Sequence, residues 1–212
     1  TAEMPGFYPE GVYDLAGFCV GIVDNARIVD GSSIAVDDVI IGIESSGPHA
    51  NGYSLIRKIL AESGQKPTDI LPETDTTLAD ALLAPTRIYV KPVLNLLRDL
   101  DIRGMAHITG GGFYDNVARI LPRGVAARIR MGTWDVPPVF EWLRSRGGLS
   151  WPEMLQIFNC GIGYMLVVPP EIGEDVVQRL RGQHEYAQII GAIERLKKPG
   201  QERVTVEMTD EG

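Results

Sequence analysis

The stretch Ser45-Ser46-Gly47-Pro48-His49-Ala50-Asn51-Gly52-Tyr53-Ser54 joins a strand-like run to a helical pattern. Residues 39–43 are aliphatic apart from one glycine, and apolar residues at 56, 59 and 60 follow at helical spacing. The start of a helix leaves backbone N–H groups without partners, and such groups bind anions such as phosphate. We therefore interpret the stretch either as an anion-binding junction or as an ordinary turn in which Asn51 caps the helix.

A second glycine-rich junction repeats this pattern. Strand-like residues 102–108 run into Thr109-Gly110-Gly111-Gly112, and a helical pattern follows. Three consecutive glycines allow a backbone to approach a ligand closely, whereas a tight turn usually needs only one. No Gly-Lys-Ser/Thr follows, so a Walker A nucleotide site is not supported. We expect the two junctions to lie at the same end of one sheet.

The remaining segments alternate between strand and helix signals. They predict an α+β fold, an α/β sandwich in which one mixed β-sheet is covered by helices. Residues 15–23 form an apolar run that predicts a buried strand ahead of this alternation. Further predictions are a helix over 52–63 ended by Gly64, a helix from Tyr89 to Asp101 with Pro92 in its first turn, a capping box from Ser150 to Glu153, and a helix opened by Pro170.

Composition limits the classes of function. The 212 residues carry a net charge of −8, which argues against general nucleic-acid binding. No apolar run reaches the roughly 20 residues that span a bilayer, and no signal peptide is visible, so we expect a cytoplasmic protein without membrane contact. The two cysteines, Cys19 and Cys160, are expected to be buried thiols. The acidic residues show no metal-loop spacing, and no metal ligand is predicted.

Few side chains are candidates for chemistry. His49 lies in a polar loop and is a candidate general acid or base, or a phosphate ligand; a solvated loop histidine is the alternative. His107 is expected in the core or behind the site, and His184 in a surface turn. Asn159 is placed at a strand start facing the same end of the sheet. Glu3 either has a functional role or is an exposed loop carboxylate.

Together these segments resemble one enzyme family, phosphoribosylformylglycinamidine cyclo-ligase, also called AIR synthetase. The similar motifs occur in the family's order and are spread over nearly the whole chain: residues 1–6, 14–21, 45–54, 83–91, 107–113 and 158–163. The family closes the imidazole ring of formylglycinamidine ribonucleotide in purine biosynthesis, using ATP and Mg²⁺. In the family, a further N-terminal part precedes the first motif and carries most of the ATP and Mg²⁺ contacts.

The resemblance implies an organisation and a set of roles. Residues 1–30 would be a remnant of the N-terminal, ATP-binding and dimerising domain, and 31–212 the C-terminal domain. His49 and Asn51 would be catalytic, and Thr1 and Glu3 would lie on the nucleotide side. Substrate or phosphate would contact Ser45, Ser46, Gly47, Gly52, Tyr53, Ser54, Thr109, Gly110, Gly111, Gly112 and Asn159.

Two alternatives stay open at this point. The chain could be a non-catalytic fragment that binds phosphorylated ligands or serves as an association domain. It could also be a sibling such as selenophosphate synthetase, thiamine-monophosphate kinase or the formylglycinamide ribonucleotide amidotransferase, although the motifs at 45–54 and 158–163 favour the cyclo-ligase. The full-length family is a homodimer, and the 212-residue chain alone is expected to be inactive.

Overall fold

A computed structural model describes residues 6–13, 17–198 and 200–208. Within these ranges the chain forms six strands and seven α-helices, in the order β1 (Val39–Glu44), α1 (Tyr53–Ser63), α2 (Leu78–Leu82), α3 (Val90–Leu96), β2 (Gly104–His107), α4 (Gly112–Ile120), β3 (Val125–Met131), α5 (Pro138–Gly147), α6 (Trp151–Ile157), β4 (Ile162–Val168), α7 (Gly173–Arg181), β5 (Ala187–Arg195) and β6 (Val204–Met208). The strands form one mixed sheet in the order β2-β4-β1-β5-β3-β6. The predicted fold class is confirmed.

Strand direction brings the two glycine-rich junctions to one end of the sheet. Both β1 and β2 pair antiparallel with β4, so β1 and β2 run in the same direction. Their carboxyl ends therefore lie where β4 begins, and β5, antiparallel to β1, begins there too. We call this the loop end; it consists of residues 45–52, 108–111, 159–161 and 185–186. The expectation that both junctions share one end is confirmed.

Each face of the sheet is covered by helices, and β1 is buried on both. Its Ile40 packs into a larger core with residues of α1, α2, α4, α5 and α6, while Ile41 and Ile43 pack into a smaller core with α3 and α7. All three isoleucine side chains are fully buried. A strand covered on both faces reads as a continuous apolar run, which is the pattern of residues 39–43. The loop end therefore rests on a rigid central strand.

Several local predictions are confirmed. Helix α1 ends at Gly64, which has a left-handed φ of 71°. Pro92 lies in the first turn of α3, and the capping box of α6 joins Ser150 and Glu153 as expected. Asn51 does not cap α1, however. The N-cap is Gly52, with φ 74° and no side-chain hydrogen bond, so the first N–H groups of α1 receive no partner from a capping side chain.

The prediction of a buried strand at 15–23 is wrong for the part that the structure describes. Residues 14–16 lie outside the described residues, and residues 17–23 are exposed and form no strand. A strand needs a hydrogen-bonding neighbour, and no strand of the sheet pairs with these residues. Cys19 is consequently exposed, against expectation, whereas Cys160 is buried as predicted.

Two smaller differences concern helices. Pro170 opens a short 3-10 turn, and α7 begins only at Gly173. The helix expected from Tyr89 to Asp101 is shorter, since α3 ends at Leu96. Among the described residues, no helix has the length and apolar character needed to cross a membrane.

Candidate functional site

Asn159 fixes the first part of the loop that leaves β1. Its Oδ1 accepts hydrogen bonds from Ser45 Oγ at 2.8 Å and from the backbone N–H of Gly161 at 3.0 Å. Its Nδ2 donates to the carbonyl of Gly47 at 2.8 Å. Asn159 is 2% exposed and Ser45 is 4% exposed. The amide is thus engaged in tying the loop to the start of β4, at the end of the sheet where it was expected.

The loop turns sharply into α1. Left-handed φ values occur at Gly47 (147°), His49 (57°) and Gly52 (74°). Such a φ costs a residue with a side chain roughly 1–2 kcal/mol, so His49 keeps it only because its surroundings hold it. Turns with left-handed residues can form concavities that bind anions. The N–H groups of Ser45, Ser46 and Asn51 already donate within the protein, so the N–H groups at the start of α1 are the ones left for an anion. The geometry agrees with an anion-binding junction.

His49 is buried beneath this loop. His49 is 4% exposed, and its Nε2 accepts hydrogen bonds from the backbone N–H of Ser46 at 3.2 Å and of Arg87 at 3.5 Å. The ring centroid lies 6.2 Å from those of both Tyr89 and His107. The alternative of a solvated loop histidine does not apply to this ring.

The environment of His49 disfavours a positive charge. Its pKa is lowered from 6.5 to about 4, chiefly by burial and then by the nearby His107 and Arg87. At neutral pH the imidazole is therefore uncharged. A neutral imidazole has one nitrogen that donates and one that accepts, and Nε2 already accepts.

The second junction is held together by Asn116 of α4. Its Nδ2 donates to the carbonyl of Gly112 at 2.8 Å and to those of Thr109 and Gly110 at 3.2 Å. Thr109 Oγ1 in turn donates to Asn116 Oδ1 at 3.2 Å. Gly111 and Gly112 both have left-handed φ values, 90° and 58°. A side chain at Gly112 would also overlap the backbone of α6, so packing and conformation both require glycine there.

Asn51 and Gly110 bring the two junctions next to each other. A Cβ atom placed on Gly110 would lie 3.9 Å from Oδ1 of Asn51. Gly110 is exposed and Asn51 is half-buried, so a ligand at the loop end could reach both. The N-termini of α1 and α4 therefore open at adjacent points of the loop end.

The other predicted residues differ in their exposure and in their contacts. Ser46 is exposed and its Oγ donates to the carbonyl of Pro85 at 2.6 Å. The hydroxyl of Tyr53 donates to the carbonyl of Leu82, and Ser54 is exposed in the first turn of α1. Thr1 and Glu3 lie outside the described residues. His184 is exposed in a turn before β5, as predicted.

His107 is not in the core; of the two expected positions it takes the one behind the site, with its ring 6.2 Å from that of His49. Ala106 and Ile108 are buried in the larger core, so alternation along β2 places His107 on the opposite side of the edge strand, where it is exposed. Its ring lies 5.9 Å from those of Tyr89 and Tyr164. These three residues line a groove of about 420 Å³ together with apolar residues of α3. Partial burial lowers the pKa of His107.

A charged network around Arg87 was missed by sequence reasoning. Arg87 Nε lies 3.2 Å from Oε2 of Glu185, and its Nη1 donates to the carbonyl of Glu44 at 3.3 Å. The Tyr89 hydroxyl donates to the same Glu44 carbonyl at 2.8 Å. Burial raises the pKa of the Glu44 carboxyl and of the Tyr89 hydroxyl. The antiparallel pairing of β1 with β5 was the missing information, since it brings Glu44 close to Glu185.

The same end of the sheet contains a cavity of about 520 Å³. Its walls combine charged and aromatic side chains: Glu44, Trp134, Asp135, Arg181, His184, Glu185 and Tyr186. In the part of the chain that the structure describes, no group of three or more histidine, cysteine, aspartate or glutamate residues could hold a metal ion. We therefore assign no magnesium ligand to these residues and no chemical step through the ion.

The fold and the loop end define a class of protein: a helix-covered mixed sheet with two glycine-rich junctions that open helices at one end. Residues 35–200 match the family model of the AIR synthase related protein, C-terminal domain. The chain belongs to this family.

The similarity to individual proteins extends beyond residues 35–200. A protein of Oleidesulfovibrio alaskensis named phosphoribosylformylglycinamidine cyclo-ligase is 58% identical over 98% of this chain and 59% of its own length. A protein of the same name from Nitratidesulfovibrio vulgaris is 58% identical over 97% of this chain and 59% of its own length. The chain thus spans about three fifths of these relatives.

Solved structures with little sequence identity share the fold. The hydrogenase maturation protein HypE aligns with a TM-score of 0.59 at 19% identity, covering 89% of this chain and 54% of that one. Thiamine-monophosphate kinase from Stenotrophomonas maltophilia aligns with a TM-score of 0.59 at 16% identity, covering 87% of this chain and 54% of that one. At this identity the likeness concerns the fold alone.

Proposed function

We propose that this chain supplies the C-terminal half of the active site of a phosphoribosylformylglycinamidine cyclo-ligase in purine biosynthesis. The observation that carries the proposal is its 58% identity, over 98% of its length, with a protein of that name. The relative is longer than the region matched, so the chain is proposed to act together with a further part that binds most of the ATP and Mg²⁺. The assembled enzyme is proposed to be a cytoplasmic homodimer.

The proposed reaction closes the imidazole ring of formylglycinamidine ribonucleotide. ATP transfers its terminal phosphoryl group to the formamide oxygen, which gives an iminophosphate and ADP. The amidine nitrogen attacks the activated carbon, its proton is lost, and the carbon–oxygen bond breaks with release of phosphate. Phosphoryl transfer depends mainly on positioning and on stabilising negative charge, which backbone N–H groups can provide.

The loop end has the geometry to bind the anionic groups of this reaction. Two helix N-termini open beside each other, and the loop at 45–52 that leads into one of them has left-handed φ values at residues 47, 49 and 52. In this proposal the substrate phosphate and the developing phosphoryl charge bind there, with Asn51 and the backbone of Gly110 to Gly112 positioning the substrate. Thr1 and Glu3 are proposed on the nucleotide side.

The test is a ring-closure assay on the 212-residue chain, alone and mixed with the part of the O. alaskensis relative that it does not cover. We expect no aminoimidazole ribonucleotide from the chain alone and product from the mixture. Turnover by the chain alone would contradict the proposal that the ATP-binding part lies outside it. A mixture that forms a complex but no product would contradict the cyclo-ligase assignment.

A second candidate function is an association domain without catalysis. It is favoured by one observation: Phe18, Val20 and Ile22 are each at least 85% exposed in a segment that pairs with no strand of the sheet. The same assay separates the two candidates, because an association domain would form the complex without supporting turnover after every other component is supplied.

A further inference from the structure

His49 holds its Nε2 towards two backbone donors and not towards a ligand. The N–H groups of Ser46 and Arg87 both point at this nitrogen, at 3.2 and 3.5 Å. A proton on Nε2 would face these two N–H groups, which is electrostatically unfavourable, so the lone pair must lie there. The hydrogen-bond network therefore places the single ring proton on Nδ1.

The Nδ1–H group is left without an acceptor. Within the described residues Nδ1 is buried and makes no hydrogen bond. Leaving a buried donor unpaired costs about 1–3 kcal/mol, and native structures seldom leave one without a reason. The groups that face the ring are His107 from β2, together with Tyr89 and the Arg87 guanidinium from the segment before α3. None of them accepts the proton of Nδ1.

Arg87 is fixed in place by its own side chain. Its guanidinium lies between Glu185, 3.2 Å from Nε, and Glu44, whose carboxylate is 3.7 Å and whose carbonyl is 3.3 Å from Nη1. A neighbouring contact, from Ser46 Oγ to the carbonyl of Pro85, ties the same segment to the loop. These contacts orient the backbone N–H of Arg87 towards His49, although the two residues are 38 positions apart.

We infer that His49 acts as a neutral hydrogen-bond donor through Nδ1 towards an oxygen acceptor, such as a phosphoryl or carbonyl oxygen, and that Arg87 is the positioning residue that holds this tautomer. The role towards a substrate rests on the proposed function, whereas the tautomer does not. A general-base role would need the lone pair on Nδ1 and the proton on Nε2, directed at two N–H donors. The geometry therefore assigns His49 to charge stabilisation instead of proton transfer.

The tautomer is tested on the 212-residue chain without substrate. With only three histidines in the sequence, nitrogen-15 labelling and long-range proton–nitrogen correlation spectra at pH 7 resolve each ring, and His49→Asn assigns the signal. We expect His49 with a protonated Nδ1 and an unprotonated Nε2. A protonated Nε2 at pH 7, in either a neutral or a charged ring, would overturn the inference.

Arg87→Gln tests the positioning role. We expect this variant to shift the His49 signals towards a mixture of tautomers, because the Glu185 and Glu44 contacts no longer fix the segment. Arg128→Gln is the matched control: Arg128 also contacts two carboxylates, Glu194 and Glu207, but far from the loop end on the sheet surface. An unchanged His49 tautomer in a folded Arg87→Gln chain would show that Arg87 does not position His49.

The assembled enzyme gives the functional readout. Asparagine tolerates a left-handed φ and carries an N–H near the position of Nδ1, so His49→Asn is expected to retain kcat within about tenfold. His49→Ala is expected to lower kcat by about 10²-fold or more, as for the loss of one donor to a developing charge. Equal losses in the two variants would contradict the donor role. If no assembly is active, the proposed function fails while the tautomer result stands.

Discussion

At the scale of single residues, the loop end depends on two buried polar side chains that contact the loop from different elements. Asn159 binds Ser45 and Gly47 from the start of β4, and His49 accepts backbone N–H groups from within the loop and from residue 87. These contacts occupy the Asn159 amide and Nε2 of His49, and leave only Nδ1 of His49 for a ligand. Both hold the loop that leads into α1, whose first N–H groups we propose for anion binding.

Substitution of Asn159 tests this structural role. Asn159→Ala leaves Ser45 Oγ, Gly161 N–H and the Gly47 carbonyl without their partner, so we expect a loss of about 2–4 kcal/mol in the free energy of unfolding, measured with urea. Asn159→Asp keeps the accepting oxygen but sets a buried carboxylate oxygen against the Gly47 carbonyl, and is also expected to destabilise. Unchanged stability in both variants would contradict the role.

The depressed pKa of His49 predicts a pH effect on stability. Because the folded ring resists protonation until about pH 4 while an unfolded histidine takes up a proton near 6.5, the unfolded state binds more protons between these values. Stability conferred by the neutral ring is complete above pH 6.5 and is lost as the pH falls towards 4. We expect wild type to lose about 2–3 kcal/mol more than His49→Asn between pH 7 and 4.5 in urea unfolding. Parallel losses would show that His49 titrates normally.

At the scale of elements, β4 makes room for the histidine by having glycine at 163. A Cβ atom there would come within 2.6 Å of Cε1 of His49 and would overlap the Tyr89 hydroxyl. The strand, the loop and the segment before α3 therefore meet at one buried point. The position of the His49 ring is set by three elements that are distant in the sequence.

Gly163→Ala tests that packing. We expect a loss of about 1–3 kcal/mol in unfolding free energy, because the methyl group must displace buried rings, together with changed His49 and His107 nuclear magnetic resonance signals. Gly182→Ala is the control, since a Cβ atom there meets only ordinary contacts at 3.4 Å or more. Equal behaviour of the two variants would contradict the close fit at residue 163.

The sequence was most informative where structure is local. The glycines at 64, 111 and 112 and the capping box at Ser150 are recognised from neighbouring residues, and they lie where they were predicted. The bonds from Asn159 to Ser45 and from Arg87 to His49 span 114 and 38 positions, so no local pattern could reveal them. The strand prediction for residues 17–23 was wrong for a related reason, since apolar composition cannot show whether a strand has a hydrogen-bonding neighbour.

At the scale of the whole molecule, the described residues include apolar side chains exposed in two regions. Phe18, Val20 and Ile22 are exposed in the segment before the domain, and Ile88, Val90 and Leu94 are exposed around α3. Arg27 connects the two regions, because its guanidinium donates to the carbonyl of Leu97 at 2.8 Å. Exposed apolar surfaces of this kind mark sites of association.

We expect the isolated chain to self-associate at micromolar concentration, and the double variant Val20→Glu/Ile22→Glu to be more monomeric, because charge on an apolar segment opposes its burial. Sedimentation velocity measures the change. Val36→Glu, at an apolar residue that is only 36% exposed and lies outside this segment, is the control. Wild type that is monomeric throughout would contradict the prediction.

The proposal that this chain supplies half of a cyclo-ligase active site, with His49 at the loop end, is tested by a chimera. In it, this chain replaces the matching three fifths of the O. alaskensis relative. The measured quantity is the rate of ATP-dependent ring closure of formylglycinamidine ribonucleotide, with His184→Ala as a surface-histidine control and His49→Ala as the loop-end variant. We expect the chimera to turn over within about tenfold of the intact relative, with a rate that His184→Ala leaves unchanged and His49→Ala lowers about 10²-fold. A folded chimera that binds ATP without closing the ring, or one indifferent to His49→Ala, would contradict the proposal.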